Sequence, residues 1–113
     1  MTITNERLAE YEFLRPMRGD GYYPAHLVAA GGEILRALCE RIEAEPPRGL
    51  DELYALTHAA TEEFNLLAEE FEAAGSEIET VARDTIAVDF EHLAQAYGFP
   101  DADLEELVAP RDW

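Results

Sequence analysis

The stretch Ala74-Gly75-Ser76-Glu77-Ile78-Glu79 constrains this chain more than any other. Ser76 followed three residues on by Glu79 has the spacing of a capping box. In that motif the serine hydroxyl accepts the Glu79 backbone N–H, and the glutamate carboxylate accepts the Ser76 N–H. Gly75 suits the left-handed position that closes a preceding helix. One helix is therefore expected to end at residue 74 and another to begin at residue 76, the connection of an αα-hairpin.

Apolar periodicity extends this reading in both directions. Leu27, Val28, Ile34, Leu35, Leu38 and Ile42 share one helical face, with Glu33, Arg36, Glu40 and Glu43 opposite. Pro24 sits where a helix favours proline, in its first turn, and Pro46-Pro47-Arg48-Gly49 ends the segment. Leu53, Tyr54, Ala60, Phe64, Leu67 and Phe71 form a second stripe. Ile78, Val81, Ala82, Ile86, Phe90, Leu93 and Tyr97 form a third, which Gly98 closes. The expectation is an all-α fold, an up-down-up bundle with long helices over 24–45, 50–74 and 76–97. Residues 1–22 read as an arm or short helix whose Leu8, Tyr11 and Leu14 dock part of it. Residues 101–113 read as a short helix and tail. Gly31-Gly32 lies inside the first long helix, where each glycine costs about 1 kcal/mol against alanine. Either another segment approaches closely there, or the helix bends.

A chain of 113 residues that is 48% apolar is one domain able to bury its own core. Its single cysteine, Cys39, excludes an intramolecular disulfide and suits a reducing cytoplasm. No stretch approaches the length of a membrane span, and the first residues lack a signal core. Against 25 acidic residues stand eight arginines and no lysine, a net charge of −17. Nucleic acid and anionic membrane are poor ligands for such a surface, whereas a basic partner protein would be steered toward it.

A few polar residues occupy positions a plain core would fill with apolar ones. Asp89 falls in the middle of the third apolar arc. A buried carboxylate must be hydrogen-bonded, paired or protonated. Thr85 or a tyrosine hydroxyl could satisfy it as a structural acid; otherwise it serves a ligand. His58, Thr61 and Asn65, at i, i+3 and i+7, line one border of the second stripe. They either hold helix register or face a polar pocket between the second and third long helices. Glu79 and Arg83, an i, i+4 ion pair, could face that pocket with Asp89. Asp89 and His92, at i, i+3, could offer two metal ligands, too few for a di-iron bundle. Glu69-x-x-Glu72 lacks the partner motif of helical nucleotide pyrophosphohydrolases. No catalytic constellation, phosphate loop or zinc spacing is present, so no cofactor is expected. Tyr22 and Tyr23, ahead of Pro24, either close the bundle end or anchor a partner.

Five segments together carry a resemblance: Gly21-Tyr22-Tyr23-Pro24, Leu53-Tyr54-Ala55-Leu56-Thr57-His58, Gly75-Ser76-Glu77-Ile78-Glu79-Thr80, Ala96-Tyr97-Gly98-Phe99 and Ala109-Pro110-Arg111-Asp112-Trp113. From about Tyr11 onward the chain resembles a family of small acidic all-helical bacterial proteins labelled only as a domain of unknown function. That resemblance implies a stand-alone helical protein and no particular activity. Tyr-Tyr-Pro beside an acidic helical surface also resembles toxin-immunity proteins, though there the motif follows other helices and here it precedes them. The functional expectation is a non-catalytic helical bundle that binds a basic partner protein. The alternative is a small-molecule or metal-binding bundle built on the polar pocket.

Overall fold

The three apolar stripes become three long helices in the structure, a computed structural model that describes residues 3–113. Helix α1 spans Ala25–Ala44, α2 Leu50–Ala73 and α3 Thr80–Ala96, and a single-turn α4 spans Leu104–Leu107. A short 3-10 helix, Arg15–Met17, precedes them. The first two residues of the expected arm lie outside the described ones. The radius of gyration of 13.4 Å is that of a compact chain of this length, for which about 13 Å is usual. No described helix is long and apolar enough to cross a membrane.

Helix α1 begins behind Pro24, whose carbonyl accepts the Leu27 and Val28 N–H groups at 3.0 and 3.1 Å. It runs unbroken through Gly31-Gly32. The close approach at Gly31 explains why. A Cβ there would lie 2.7 Å from Leu14 Cδ1, 3.2 Å from Phe64 and 3.4 Å from Leu67. The arm's Leu14 thus seats against bare helix backbone, between α1 and α2. Burial of Leu14, Phe64 and Leu67, each worth roughly 1.5–3 kcal/mol, outweighs the helix cost of the glycine.

The end of α2 follows the sequence; the start of α3 does not. Gly75 adopts φ +82°, and its N–H bonds the Glu72 carbonyl at 3.0 Å while the Ser76 N–H bonds the Phe71 carbonyl at 2.9 Å. These are the two bonds of a Schellman motif. They also undo the expected capping box. The Ser76 amide, which Glu79 should have captured, is engaged by Phe71. The Glu79 carboxylate instead accepts the Tyr23 hydroxyl. Helix α3 therefore starts at Thr80 rather than 76, with Glu79 as an N-cap whose side chain caps nothing. Ser76 is 2% exposed, and its hydroxyl has no hydrogen-bond partner.

Gly98, at φ +89°, repeats the Schellman device at the end of α3. Its N–H bonds Gln95 at 3.1 Å, and the Phe99 N–H bonds Ala94 at 2.9 Å. Asp103 then caps α4 by accepting the Glu105 N–H at 3.1 Å.

Helices α1 and α2 pack directly on each other, whereas α3 makes its main backbone contacts with α4 and the 3-10 helix. The core lies between these layers. Phe64 and Phe90 meet edge to face at 5.9 Å. Around them Ile3, Leu8, Phe13, Leu14 and Met17 of the arm and Leu107 and Val108 of the C-terminal segment complete the cluster. Both irregular ends of the chain are therefore core elements.

Candidate functional site

One face of α2 carries Tyr54, His58, Thr61 and Asn65 at i, i+4, i+7 and i+11, so their side chains stack along one side of the helix. Each meets the C-terminal segment. The Tyr54 hydroxyl accepts the Asp103 N–H at 2.9 Å. His58 Nε2 lies 2.6 Å from the Glu106 carbonyl oxygen, which accepts only, so Nε2 carries the hydrogen. The Thr61 hydroxyl donates to Thr57 at 2.8 Å and lies 3.4 Å from the Leu107 carbonyl. Asn65 is used twice: Nδ2 donates to the Pro110 carbonyl, and Oδ1 accepts the Asp112 N–H, both at 3.0 Å. The row read from the sequence is brought together, and its contents are the chain's own backbone from residue 103 to 112. Tyr54, read only as an apolar stripe residue, is its first rung.

The other three members of the candidate pocket face elsewhere. Glu79 meets Tyr23 rather than Arg83, and Arg83 is exposed. Asp89 is 3% exposed and serves the arm: Oδ1 accepts the Tyr11 hydroxyl and Oδ2 the Leu14 N–H, each at 2.7 Å. Thr85 takes no part, since its hydroxyl donates to the Val81 carbonyl at 2.8 Å. Burial raises the Asp89 pKa above the ordinary carboxylate value; the Tyr11 and Leu14 donors and the nearby His92 oppose that rise. Burial and the carboxylate at its hydroxyl push Tyr11 up to about 12, so Tyr11 keeps its proton and remains the donor. Leu14 has φ +59°, a left-handed backbone that costs a non-glycine residue about 1–2 kcal/mol. The charge-assisted bond from Asp89 to its N–H helps offset that strain.

The same pairing of tyrosine and carboxylate recurs twice. Tyr97 donates to Glu43 Oε2 at 2.5 Å, and Tyr23 to Glu79. Glu43, at the end of α1, also accepts the Thr4 N–H and hydroxyl, both at 2.8 Å, and the Asn5 N–H at 3.1 Å. Asn5 Nδ2 then reaches the Ala96 carbonyl at 2.8 Å. Partial burial alone would raise the Glu43 pKa, but these donors outweigh it and hold the group at about 2. The sequence placed Glu43 on the outer face, and nothing local marks it otherwise. Its partners lie 38, 39 and 54 residues away.

Tyr23 is 5% exposed and Tyr22 48%, with their rings edge to face at 5.0 Å. Tyr23 also meets Phe71 at 6.3 Å, so it closes the bundle end while Tyr22 remains at the surface. His92 stacks on Tyr11 at 4.5 Å, and its Nε2 is buried without a hydrogen-bond partner. Among the described residues no group of three or more His, Cys, Asp or Glu side chains could hold a metal ion. Cys39 is buried, and that burial pushes its thiol up to about 12, against the opposing influence of the Tyr97 hydroxyl. It is a poor nucleophile.

On the outer side of α2 the pattern reverses. Leu66 is 65% exposed. Glu62, Glu63, Glu69 and Glu70, at i−4, i−3, i+3 and i+4, surround it and are all exposed.

Compared with curated proteins and with solved structures, the chain matches none of them. A family model, by contrast, matches residues 7–113. It covers the arm from Arg7, the four helices and the tail that the α2 ladder holds; the chain belongs to this family, described as a family of unknown function (DUF5713).

Proposed function

We propose that the protein is a non-catalytic binding module of the bacterial cytoplasm that engages a basic partner protein through the outer face of α2. The observation that carries this reading is Leu66, an exposed apolar side chain with four glutamates within one helical turn. An apolar side chain ringed by charge is the arrangement of an interface: the anchor supplies contact energy, while the charged rim steers the partner and fixes its register. The net charge of −17 acts in the same direction at longer range. His58, Thr61, Asn65, Glu79 and Asp89 are engaged inside the chain, which leaves the outer faces to meet other molecules. The buried thiol of Cys39 is compatible with a reducing compartment.

The test is a panel of displayed basic peptides, each with a central apolar residue, scored against the parent, Leu66→Ser, and a variant with Glu62, Glu63, Glu69 and Glu70 all changed to glutamine. The expected result is binding that weakens as salt rises and is lost in both variants. Binding that ignores salt, or that survives both variants, would overturn the proposal.

A further inference from the structure

Gly31 has a packing reason for being glycine; Gly32 has a different one. The nearest atom to a Cβ at Gly32 would be Arg18 Nη2, at 2.9 Å. The far end of an arginine is flexible and could move aside at little cost, so the core does not require a glycine here. What the missing side chain does is let the Arg18 guanidinium lie against the bare backbone of α1. That guanidinium is fixed at its other edge, where Nε donates to the Phe13 carbonyl at 3.0 Å and lies 3.5 Å from Glu12. The glycine thus leaves room for a charged group, not an apolar one, against the α1 backbone.

Arg18 lines a groove of about 350 Å³ between the arm and α1, at the small end of the range for ligand pockets. Arg36, one turn along α1 from Gly32, lines the same groove, as do Glu10, Glu12 and Glu33. Tyr11 lines one side, its ring edge to face with the buried Phe13 at 5.1 Å. Tyr11 is already held by Asp89 and by stacking on His92, so that side is pre-organised. A simple anion would meet the glutamates, and a simple cation would meet both arginines. A ligand carrying both charges finds a partner for each.

We propose that this groove binds a zwitterionic, amino-acid-like small molecule, with its carboxylate on Arg18 and Arg36 and its ammonium group on Glu10 and Glu33. The site lies on the arm and α1, and it is independent of the α2 face assigned to a basic partner.

The test uses NMR titration of the full chain, following the Nε–H signals of Arg18 and Arg36. The probes are L-leucine, its single-charge analogues 4-methylpentanoate and isoamylamine, and glycine, all at matched ionic strength. Saturable shifts of both signals with L-leucine are expected, with each single-charge analogue about tenfold weaker or more, the worth of one lost charged hydrogen bond. Gly32→Ala, whose Cβ displaces Arg18, and Arg36→Gln should each weaken L-leucine by about the same factor. Gly32→Ala should melt no lower than the parent, because it restores helix propensity. Non-saturating shifts with both amino acids would overturn the proposal. So would equal binding by a single-charge analogue, or unchanged affinity in a folded Gly32→Ala protein.

Discussion

The two ends of the chain are both irregular, and both complete the core, yet charged groups fasten one and neutral groups the other. The N-terminal arm presents donors: the N–H groups of Thr4, Asn5 and Leu14 and the hydroxyls of Thr4, Tyr11 and Tyr23. Carboxylates from the helical body receive them, namely Glu43, Asp89 and Glu79. The C-terminal segment presents both kinds of backbone group, the carbonyls of Glu106 and Pro110 and the N–H groups of Asp103 and Asp112, and neutral side chains of α2 receive them. Anionic acceptors make stronger bonds, but their strength depends on pH. Neutral partners make weaker bonds that hold over a wide range.

The largest effect that would break this contrast is expected at Asp89. Asp89→Leu leaves the Tyr11 hydroxyl and the strained Leu14 N–H without an acceptor, and should cost about 3 kcal/mol in urea melts. A loss below about 1 kcal/mol would mean that the arm is held by apolar packing alone. Gly31→Ala comes next, at about 2 kcal/mol, because its Cβ meets Leu14 at 2.7 Å in a filled core. Hydrogen exchange should show that loss first in the arm.

Glu43 sharpens the comparison through pH. Its folded value of about 2 lies below the ordinary 4.5. Its contribution is therefore complete above pH 4.5 and disappears as pH falls toward 2. Glu43→Gln should cost roughly 1–2 kcal/mol at pH 7, allowing for partial solvent screening, and that gap should close in acid. Asp89 has the opposite sign: its raised value makes its ionised form the less favoured one, so its contribution grows in acid and falls as pH rises through the folded value. Asn65→Ala, which removes two bonds to the tail, should cost about 1 kcal/mol with no change between pH 4 and 8. A pH-dependent loss at Asn65 would erase the distinction between the two ends. The smallest effect belongs to Ser76→Ala, which removes a buried hydroxyl that bonds nothing and should be neutral or stabilising by up to about 1 kcal/mol. A clear loss of stability there would restore the capping box.

What could be read from the sequence follows how far apart the interacting residues lie. The helices, the glycine stops and the His58–Thr61–Asn65 row were legible because each depends on spacings of a turn or two. Asp89 stood out because a charge broke an apolar arc, although its partners could not be named. The start of α3 was misplaced because two competitors, the Phe71 carbonyl and the Tyr23 hydroxyl, captured both halves of a local motif. Tyr23 is 56 residues from Glu79, and no local pattern reports it. Glu43 was invisible for the same reason. Gly32 was seen as a cost to the helix, but the arginine that uses it is brought there by the arm.

The left-handed Leu14 has a consequence for how the molecule is made. Its N–H waits for an acceptor 75 residues downstream, and its side chain for Phe64 and Leu67 on a helix synthesised much later. At about 5–20 residues per second of translation, roughly 4–15 s pass between the appearance of Leu14 and that of Asp89. Throughout that interval the arm lacks the acceptor that holds it. The arm is made before the groups that hold it and can dock only after them, even though most of the secondary structure is local.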